Sequence, residues 1–478
     1  MSGVLLFEDV TFGYAGEEKH AILQNFRARF DGGRITVLTG VSGCGKSTLL
    51  YLAAGIYPEH GGILHHGRVL VNGVDPAALS PVPRCAFTGM MFQNPPLQFC
   101  MDTVENELAF CLENKRAPRE EMARAIDDAL RFCGIGHLKA QRLITLSGGE
   151  QQMVMLACLS CLSPQWLLLD EPFANLDATS SRRIAEQLLR LHRERGISIL
   201  AVDHRLEHWA GIAEEIKVMD AHGRLIKEGL RPDRESDAEL TALGVDAPWM
   251  PYQASRPEKT QEEQLLLTLK GLTVRYGERT ILNCLDAAFS AGRMYAVTGA
   301  SGSGKTTLFQ ALRGLVPYTG DICFMGRPFR RRMLRRGRIG FVVQHPQDQF
   351  VADTVYDEVL LGLKHRLRQE EAAAEAERVL RGTGLWRYRR LSPYMLSQGQ
   401  QRRLGVAALL SYDCTLLICD EPTYAQDRGH TLAIMDALQD AVRQKDVTVI
   451  FSTHDWKLAR EYADAQYILE GGKLHACP

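Results

Sequence analysis

Gly40-Val-Ser-Gly-Cys-Gly-Lys-Ser47, followed by Thr48, is the stretch that decides how this chain is read. The apolar run before it, Ile35-Thr-Val-Leu38, is predicted to be a buried strand, and Leu49-Leu-Tyr-Leu-Ala-Ala54 after it a helix. Strand, glycine loop, lysine, hydroxyl and helix together form the setting in which a phosphate-binding loop works. The glycines let successive backbone N–H groups turn inward on a phosphate, and the helix N-terminus adds its positive dipole end. Lys46 is placed to reach the β- and γ-phosphates, and the Ser47 hydroxyl to sit on Mg²⁺. The loop recurs as Gly299-Ala-Ser-Gly-Ser-Gly-Lys-Thr306, followed by Thr307 and preceded by Tyr295-Ala-Val-Thr298. Two such loops make chance a poor explanation, so the chain reads as a duplicated nucleotide-binding protein. The expected binding positions are Gly40, Ser42, Gly43, Cys44, Gly45, Lys46, Ser47 and Thr48, then Gly299, Ser301, Gly302, Ser303, Gly304, Lys305, Thr306 and Thr307.

The rest of the chain repeats as well. Met91-Phe-Gln93 returns as Val342-Val-Gln344, and Leu146-Ser-Gly-Gly-Glu150 as Leu396-Ser-Gln-Gly-Gln400. Leu168-Leu-Asp170-Glu-Pro172 returns as Ile418-Cys-Asp420-Glu-Pro422, and His204 as His454. From the serine-containing signature onward the offset settles at 250, as 171 to 421 and 204 to 454 show. Each half opens with an alternating strand pattern ending near Tyr14 or Tyr276, and Val71-Asn-Gly-Val74 carries a hairpin signal. Helical periodicity follows over Arg119–Cys133 and Glu370–Leu380. Apolar strands alternating with helices imply a mainly parallel α/β core with an inserted helical region. The expected division is residues 1–249, a proline-broken linker at 250–264, and residues 265–478.

Composition narrows the class. The 478 residues suffice for two domains, each with its own core. Lys and Arg total 56 against 57 Asp and Glu, which gives no support for a nucleic-acid partner. No apolar run approaches the ~18 residues of a membrane span, and the first residues do not read as a signal peptide. The 12 cysteines read as scattered, reduced thiols, several in core-like runs (Cys158, Cys161, Cys419), with no CxxC pair and so no metal site expected. His65-His66 beside Gly67 reads as a solvated turn. Arg327 to Arg338 holds seven arginines and no acid, and reads as a solvated edge rather than a lipid-headgroup patch.

The order of phosphate loop, glutamine, Leu-Ser-Gly-Gly, Asp-Glu-Pro and histidine resembles the ATP-binding-cassette (ABC) ATPases. The resemblance spans nearly the whole chain and implies two tandem P-loop NTPase domains. Each would have a mainly parallel RecA-like core, an antiparallel β subdomain and an inserted helical subdomain. It further implies that the two halves pair head to tail within one chain, each ATP lying between one P-loop and the opposite signature. One site would join Lys46, Ser47, Gln93, Asp170, Glu171 and His204 to Ser397 and Gly399. The other would join Lys305, Thr306, Gln344, Asp420, Glu421 and His454 to Ser147 and Gly149. Gly148 and Gln398 are the remaining signature positions.

The expected roles follow the chemistry of phosphoryl transfer to water, which needs charge neutralisation and an aligned nucleophile. Ser47, Gln93 and Asp170, and likewise Thr306, Gln344 and Asp420, are expected around Mg²⁺. Glu171 and Glu421 would orient or deprotonate water. His204 and His454 would bond the γ-phosphate, and Tyr14 and Tyr276 would stack on adenine. A lone tyrosine or histidine at a strand end is more often structural; recurrence in both halves favours the functional reading. A helix N-terminus lowers a thiol pKa, which would make Cys44 reactive, yet Ser303 fills the matching place, so the thiol reads as dispensable. Two departures lie in the second half: Gln398 replaces the first signature glycine, and Gln426 replaces the leucine expected before Asp427.

Gln93-Asn-Pro-Pro-Leu-Gln-Phe with Thr103-Val-Glu-Asn-Glu parallels Gln344-His-Pro-Gln-Asp-Gln-Phe with Thr354-Val-Tyr-Asp-Glu. This pattern looks like the ATPases of energy-coupling-factor importers, including the cobalt and thiamine-precursor types, which implies a vitamin, vitamin precursor or metal ion as solute. Leu97, where an acidic residue is common in that group, is a small departure. The resemblance implies a peripheral protein on the cytoplasmic face of the cell membrane. Its partners would be a coupling-type transmembrane protein and a separate solute-binding membrane protein. Soluble twin-cassette ATPases acting on ribosomes are the alternative, though those carry a long charged helical linker. Fused-cassette sugar importers fit the glutamine pattern less well.

Overall fold

Every residue of the strand before the first glycine loop is buried because that strand is the middle of a parallel sheet, covered on both faces. The structure, a computed structural model, describes residues 3–14, 21–93, 95–174, 176–247, 264–300, 302–330, 333, 338–424 and 426–477. It divides into two units, Met1–Met250 and Pro251–Pro478. Nearly all of the expected linker and six residues of the arginine run lie outside the described residues.

The first unit begins with β1 (Val4–Gly13), β2 (Leu23–Asp31), β3 (Ile35–Gly40), α1 (Lys46–Ala53) and β4 (Ile63–Val71). Next come α2 (Pro81–Phe87), β5 (Thr88–Met91), and the helices α3 (Val104–Asn114), α4 (Arg119–Phe132) and α5 (Gly148–Leu162). The remainder alternates: β6 (Trp166–Asp170), α6 (Ala178–Arg195), β7 (Ser198–Val202), β8 (Glu215–Met219), β9 (Leu225–Leu230) and α7 (Asp237–Ala242).

The second unit repeats this plan with β10 (Leu265–Tyr276), β11 (Arg279–Ser290), β12 (Met294–Thr298), α8 (Lys305–Leu312), β13 (Thr319–Phe324) and β14 (Arg327–Pro328). Then follow β15 (Ile339–Val342), α9 (Val355–Leu363), α10 (Gln369–Gly382), α11 (Gln398–Leu410) and β16 (Leu416–Cys419). It closes with α12 (Arg428–Lys445), β17 (Thr448–Ser452), α13 (Trp456–Tyr462), β18 (Ala465–Glu470) and β19 (Lys473–Cys477).

The central sheets run β5-β6-β7-β3-β8-β9 and β15-β16-β17-β12-β18-β19, parallel except for the last pair in each. Smaller antiparallel sheets, β2-β1-β4 and β11-β10-β13-β14, complete the α/β units. Strand alternation feeds two cores. Val37, Leu169 and Ala201 face the helices α5 and α6, whereas Leu38, Leu168 and Leu200 face α1 and the antiparallel sheet. Because β7 lies between β6 and β3, the loops leaving these three neighbours open at one sheet edge, where α/β proteins hold ligands.

Two local readings change. His65 and His66 lie within β4, with His66 opposite Thr11, so the pair is an exposed strand segment and not a turn. Gly67, at φ +86, sits at the bulge where the backbone of Glu8 and Asp9 leaves no room for a Cβ. Val71 and Val74 exchange two hydrogen bonds around Asn72 and Gly73, closing a tight turn, but the chain then enters a short 3-10 turn instead of a second long strand.

Trp209 is fully buried and its Nε1 donates to Asp203 Oδ2 at 2.9 Å, just before His204. Trp209→Phe keeps most of the apolar area but strips a buried carboxylate of one donor, leaving the Arg205 N–H on its other oxygen. It is expected to lower unfolding free energy by about 1–3 kcal/mol, read from denaturant melts; an unchanged midpoint would show that the bond contributes nothing.

Candidate functional site

The phosphate loop is shaped by β3 ending under the next strand. Gly40 has φ +143, and a Cβ there would lie 2.3 Å from the Met219 carbonyl oxygen; Gly299 repeats this against Leu469. Gly45 and Gly304 start α1 and α8 at φ +101 and +107, a region closed to most side chains. Gly43 and Gly302 are also left-handed. Lys46 is buried, its Nζ donating to the carbonyls of Gly40 (2.9 Å) and Val41 (2.7 Å). Lys305 does the same to Gly299 (2.8 Å) and Ala300 (3.0 Å). Each ammonium is thus held beside the N–H groups at the helix start. Ser301 lies outside the described residues, and no contact of Thr307 distinguishes it.

At the end of β6, Asp170 Oδ1 accepts from Ser47 Oγ at 2.9 Å. Glu171 follows with φ +47, and Glu421 in the second unit with φ +51. A left-handed glutamate costs about 1–3 kcal/mol, and such strain gathers at functional sites. Glu171 Oε1 lies 3.1 Å from His204 Nε2, and its Oε2 accepts from Gln93 Nε2 at 2.7 Å. His204 also reaches the Gly40 carbonyl through Nδ1 (3.2 Å) and Ser42 Oγ through Nε2 (3.4 Å). In the second unit His454 Nε2 lies 2.6 Å from Glu421 Oε1, and Asp420 bonds Ser452 and Thr306. Phosphate loop, acidic pair and histidine therefore converge in each unit.

Two adjacent buried carboxyls cannot both carry charge cheaply. Burial, with the Glu171 charge behind it, pushes Asp170 up to about 7. Burial also works against Glu171, but His204, Lys46 and Gln93 together overcome it and hold that carboxyl below its ordinary value. Asp420 and Glu421 divide in the same directions, with burial again the largest influence and His454, Lys305 and Arg402 favouring the glutamate anion. Hydroxyl plus buried carboxylate is a hard-oxygen donor set of the kind Mg²⁺ takes alongside water and phosphate oxygens. Ser47 with Asp170, and Thr306 with Asp420, are the residues that would hold it.

Several expected residues are placed differently. Gln344 is exposed and makes no side-chain hydrogen bond to Glu421 among the described residues; its backbone carbonyl instead accepts from Arg402 Nη2 at 2.6 Å. Tyr14 Oη lies 2.7 Å from Thr48 Oγ1, and its ring packs edge-on to Phe12 and Tyr57. Tyr276 is exposed and donates to Gln310 at 3.4 Å. Cys44 is buried near Lys46, and burial raises its pKa despite the helix N-terminus, so the activation expected of a thiol there does not arise. Cys158 and Cys161 do have CxxC spacing, a correction to the scattered pattern. They lie in α5, where Cys158 bonds Cys111, and no metal-holding cluster of Cys, His, Asp or Glu occurs among the described residues.

The signature serines head helices. Ser147 and Ser397 N-cap α5 and α11 in reciprocal capping boxes with Glu150 and Gln400. The serine-to-Glu/Gln spacing is a legible capping signal. Gly148 has open space where a Cβ would stand, which is why Gln398 fits at the matching exposed position. Gly149 is confined by Ser180, and its counterpart Gly399 accepts from Gln426 Nε2 at 3.2 Å. Sequence reasoning missed Arg402, which stands where the first unit has Gln152. Its buried guanidinium donates to the carbonyls of Asp420, Glu421 and Gln344.

The ABC transporter family pattern matches residues 23–174 and 282–424, and the chain belongs to that family. It is an ATPase with two ATP-binding cassettes. A putative HMP/thiamine import ATP-binding protein, YkoD, of Bacillus subtilis is 34% identical, covering 98% of this chain and 90% of the relative. A putative ABC transporter ATP-binding protein of Methanosarcina mazei is 30% identical, covering 98% and 88%. Among solved structures, archaeal ribosome recycling factor aABCE1, in complex with ribosomal stalk protein aP1, matches with a TM-score of 0.68 at 18% identity, covering 98% and 89%. That likeness is one of fold.

Cys44→Ser writes the residue of the second loop into the first. It is expected to leave ATP turnover unchanged, and brief treatment with a thiol alkylating reagent is expected to leave the native enzyme active. Rapid inactivation that Cys44→Ser prevents would contradict the buried, protonated thiol.

Proposed function

We propose that this chain is the motor of an energy-coupling-factor type importer, hydrolysing ATP at two composite sites made head to tail by its cassettes. The observation that carries the importer reading is a bracket built twice around the glutamine loop. Gln98 accepts from Phe92 N (2.8 Å) and donates to the Met90 carbonyl (3.1 Å), while buried Glu107 accepts from Cys100 N and Met101 N at 2.9 and 2.8 Å. In the second cassette Gln349 accepts from Val343 N (3.2 Å), and buried Glu358 from Val351 N (3.0 Å) and Ala352 N (2.8 Å). The second glutamine and the glutamate of the repeated pattern thereby fix the loop's backbone. Fixed this way, the loop holds apolar side chains in water: Leu97 is 79% and Val351 75% exposed. A rigid loop with an outward apolar side chain suits the amphipathic coupling helix of a membrane subunit. The Bacillus subtilis relative, a putative HMP/thiamine import ATP-binding protein, supports the same reading. No described helix is long and apolar enough to cross a membrane.

In this reading the N–H groups of the glycine loop and Lys46 or Lys305 bind the β- and γ-phosphates. Ser397 and Gly399, or Ser147 and Gly149, close on them from the opposite cassette. Tyr14 and Tyr276 serve the adenine end. Mg²⁺, when bound, neutralises phosphate charge as transfer proceeds. Glu171 and Glu421, kept anionic by their histidines, orient the attacking water and accept its proton. The new bond joins water oxygen to the γ-phosphorus, the bond to the bridging oxygen of ADP breaks, and ADP and phosphate leave. Gln93, bonded to Glu171, senses the acidic group from the docking loop. Closure of the cassettes would move the coupling helices, and hydrolysis would release them. Because Gln344, Arg402 and Gln426 depart from the first cassette's arrangement, the two sites are expected to turn over at different rates.

Glu171→Gln and Glu421→Gln, made separately, are each expected to lower steady-state ATP turnover. An unchanged rate in either would remove that glutamate from the mechanism. For the importer reading, the tagged chain is purified from membranes of its native host in mild detergent and its companions identified by mass spectrometry. One or two small integral membrane proteins are expected, reduced by the double change Leu97→Glu and Val351→Glu. Recovery with ribosomes, or alone, would overturn the importer reading and leave the ATP sites standing.

A further inference from the structure

The two cassettes serve as each other's control, and they differ sharply in one interhelical space. In the first, Phe132 ends α4 and its ring lies under two guanidiniums of α6, with Arg190 Cζ 4.3 Å and Arg195 Cζ 4.5 Å from its centroid. At the offset of 250, α4 and α10 coincide end to end, and Phe132 corresponds to Gly382. Three further positions on the facing helix shrink: Arg183 becomes Ala433, Gln187 becomes Ala437, and Leu191 becomes Ala441. The frame stays the same. Arg195 Nη1 donates to the Ser160 carbonyl at 2.9 Å, and its counterpart Lys445 donates to the matching Leu410 carbonyl at 3.0 Å.

The result is a cleft of about 610 Å³ between α10, α11 and α12, lying wholly within the second unit. That is the size of a pocket that buries a small molecule. Gly382 is not there for its backbone freedom: its φ is not positive, and a Cβ would meet nothing within 4 Å. Gly382 is the last residue of α10, as Phe132 is of α4, so the second cassette gives up a ring at this place.

The lining has two characters. Its floor is apolar, with Leu363, Val406, Ile434 and Ala441 all buried. Its charged wall is net positive. Glu375 is engaged by Arg378, Asp436 accepts from Tyr462 Oη, and His430 pairs with Asp427 at 2.7 Å. Arg403 stands where the first cassette has Met153; it is 8% exposed, and its Nε has no hydrogen-bond partner. The charge nearest Arg403 is the Asp427 carboxylate, which leaves that Nε unpaired. Arg366 and Lys445 line the cleft elsewhere, and Asp440 is a further acid in its wall. A buried guanidinium with an unused donor is costly unless an acceptor joins it. Crowding by Arg366 and Arg378 adds to the burial that lowers the Lys445 pKa, as a positive wall would.

We propose that this cleft binds a small organic anion with a flat apolar body, whose ring takes the place of Phe132 and whose acidic group meets Arg403. Its position bears on catalysis, because His430 lines the cleft and bonds both carboxylate oxygens of Asp427, the N-cap of α12 in the loop after Asp-Glu-Pro. The site is independent of the importer reading.

The full chain, with saturating ADP in its nucleotide sites, is titrated with 8-anilinonaphthalene-1-sulfonate and followed by fluorescence. One saturable dye site per chain is expected, with weaker binding of the uncharged N-phenyl-1-naphthylamine. Gly382→Phe fills the cleft from a position with open space; it is expected to abolish the site, raise the melting temperature and leave ADP binding intact. Arg403→Met is expected to weaken the sulfonate about tenfold, the loss of one charge-assisted hydrogen bond, while sparing the neutral dye. Absence of a saturable site, equal binding by the two dyes, or sulfonate binding that survives Gly382→Phe would overturn the proposal. If Gly382→Phe fails to fold, Arg403→Met decides alone: an unchanged sulfonate affinity rejects the site.

Discussion

Two adjacent carboxyls buried at the end of one strand are the constraint around which each cassette is arranged. Asp170 and Glu171 leave β6 largely shielded from solvent, Asp170 buried and the Glu171 side chain 16% exposed, and the glutamate sits there in a left-handed backbone conformation. Such a pair persists only if positive and hydrogen-bonding groups surround it. The sheet order supplies them. With β7 between β6 and β3, the loop after β7 brings His204 and the loop after β3 brings Lys46 to the same edge. The outcome is a division of protonation: one carboxyl pushed up by burial, the other held anionic by imidazole, ammonium and amide. That division suits a pair in which one member belongs beside a cation and the other accepts a proton from water.

The second cassette reaches the same balance with different parts. Ser452, where the first unit has Val202, bonds Asp420 and accepts from the Glu421 backbone. Arg402, where the first has Gln152, ties α11 to the carbonyls of the acidic pair and of Gln344. Gln426 is 6% exposed, bonds Gly399 through Nε2, and leaves its own Oε1 without a partner. The first cassette instead buries Asp203 beneath Trp209. These exchanges preserve the directions of the charge shifts while altering what moves with them. A duplicated machine can diverge in this way, since the chemistry constrains the electrostatics at a few atoms and leaves their supports free.

The same freedom explains the outer faces. The bracket of Gln98 with Glu107, repeated by Gln349 with Glu358, holds the backbone of the same loop in both cassettes. The space between α4 and α6 has no such duty and was filled with a phenylalanine. Between α10 and α12 it was opened. Repeated polar brackets and unequal packing thus distinguish two regions of one fold.

Much of this was legible in the chain itself. The glycine loops, the Asp-Glu pairs and the histidines stand out because their backbone and charge requirements admit few residue types, and because each occurs twice. The repeat fixed the order of strands and helices, since apolar period and turn residues are local signals. What the chain could not disclose depends on residues distant in sequence. His65 and His66 became strand through pairing with β1, and Cys44 stayed protonated because packing outweighed the helix dipole. Arg402 reached three carbonyls that only the folded sheet assembles. Gly382 looks unremarkable as a letter; only beside α12 does its missing side chain become a cleft. Local sequence determined the chemistry, because bonding capacity belongs to each residue. Tertiary structure decided its electrostatics and its cavities, because burial and empty space belong to the neighbours.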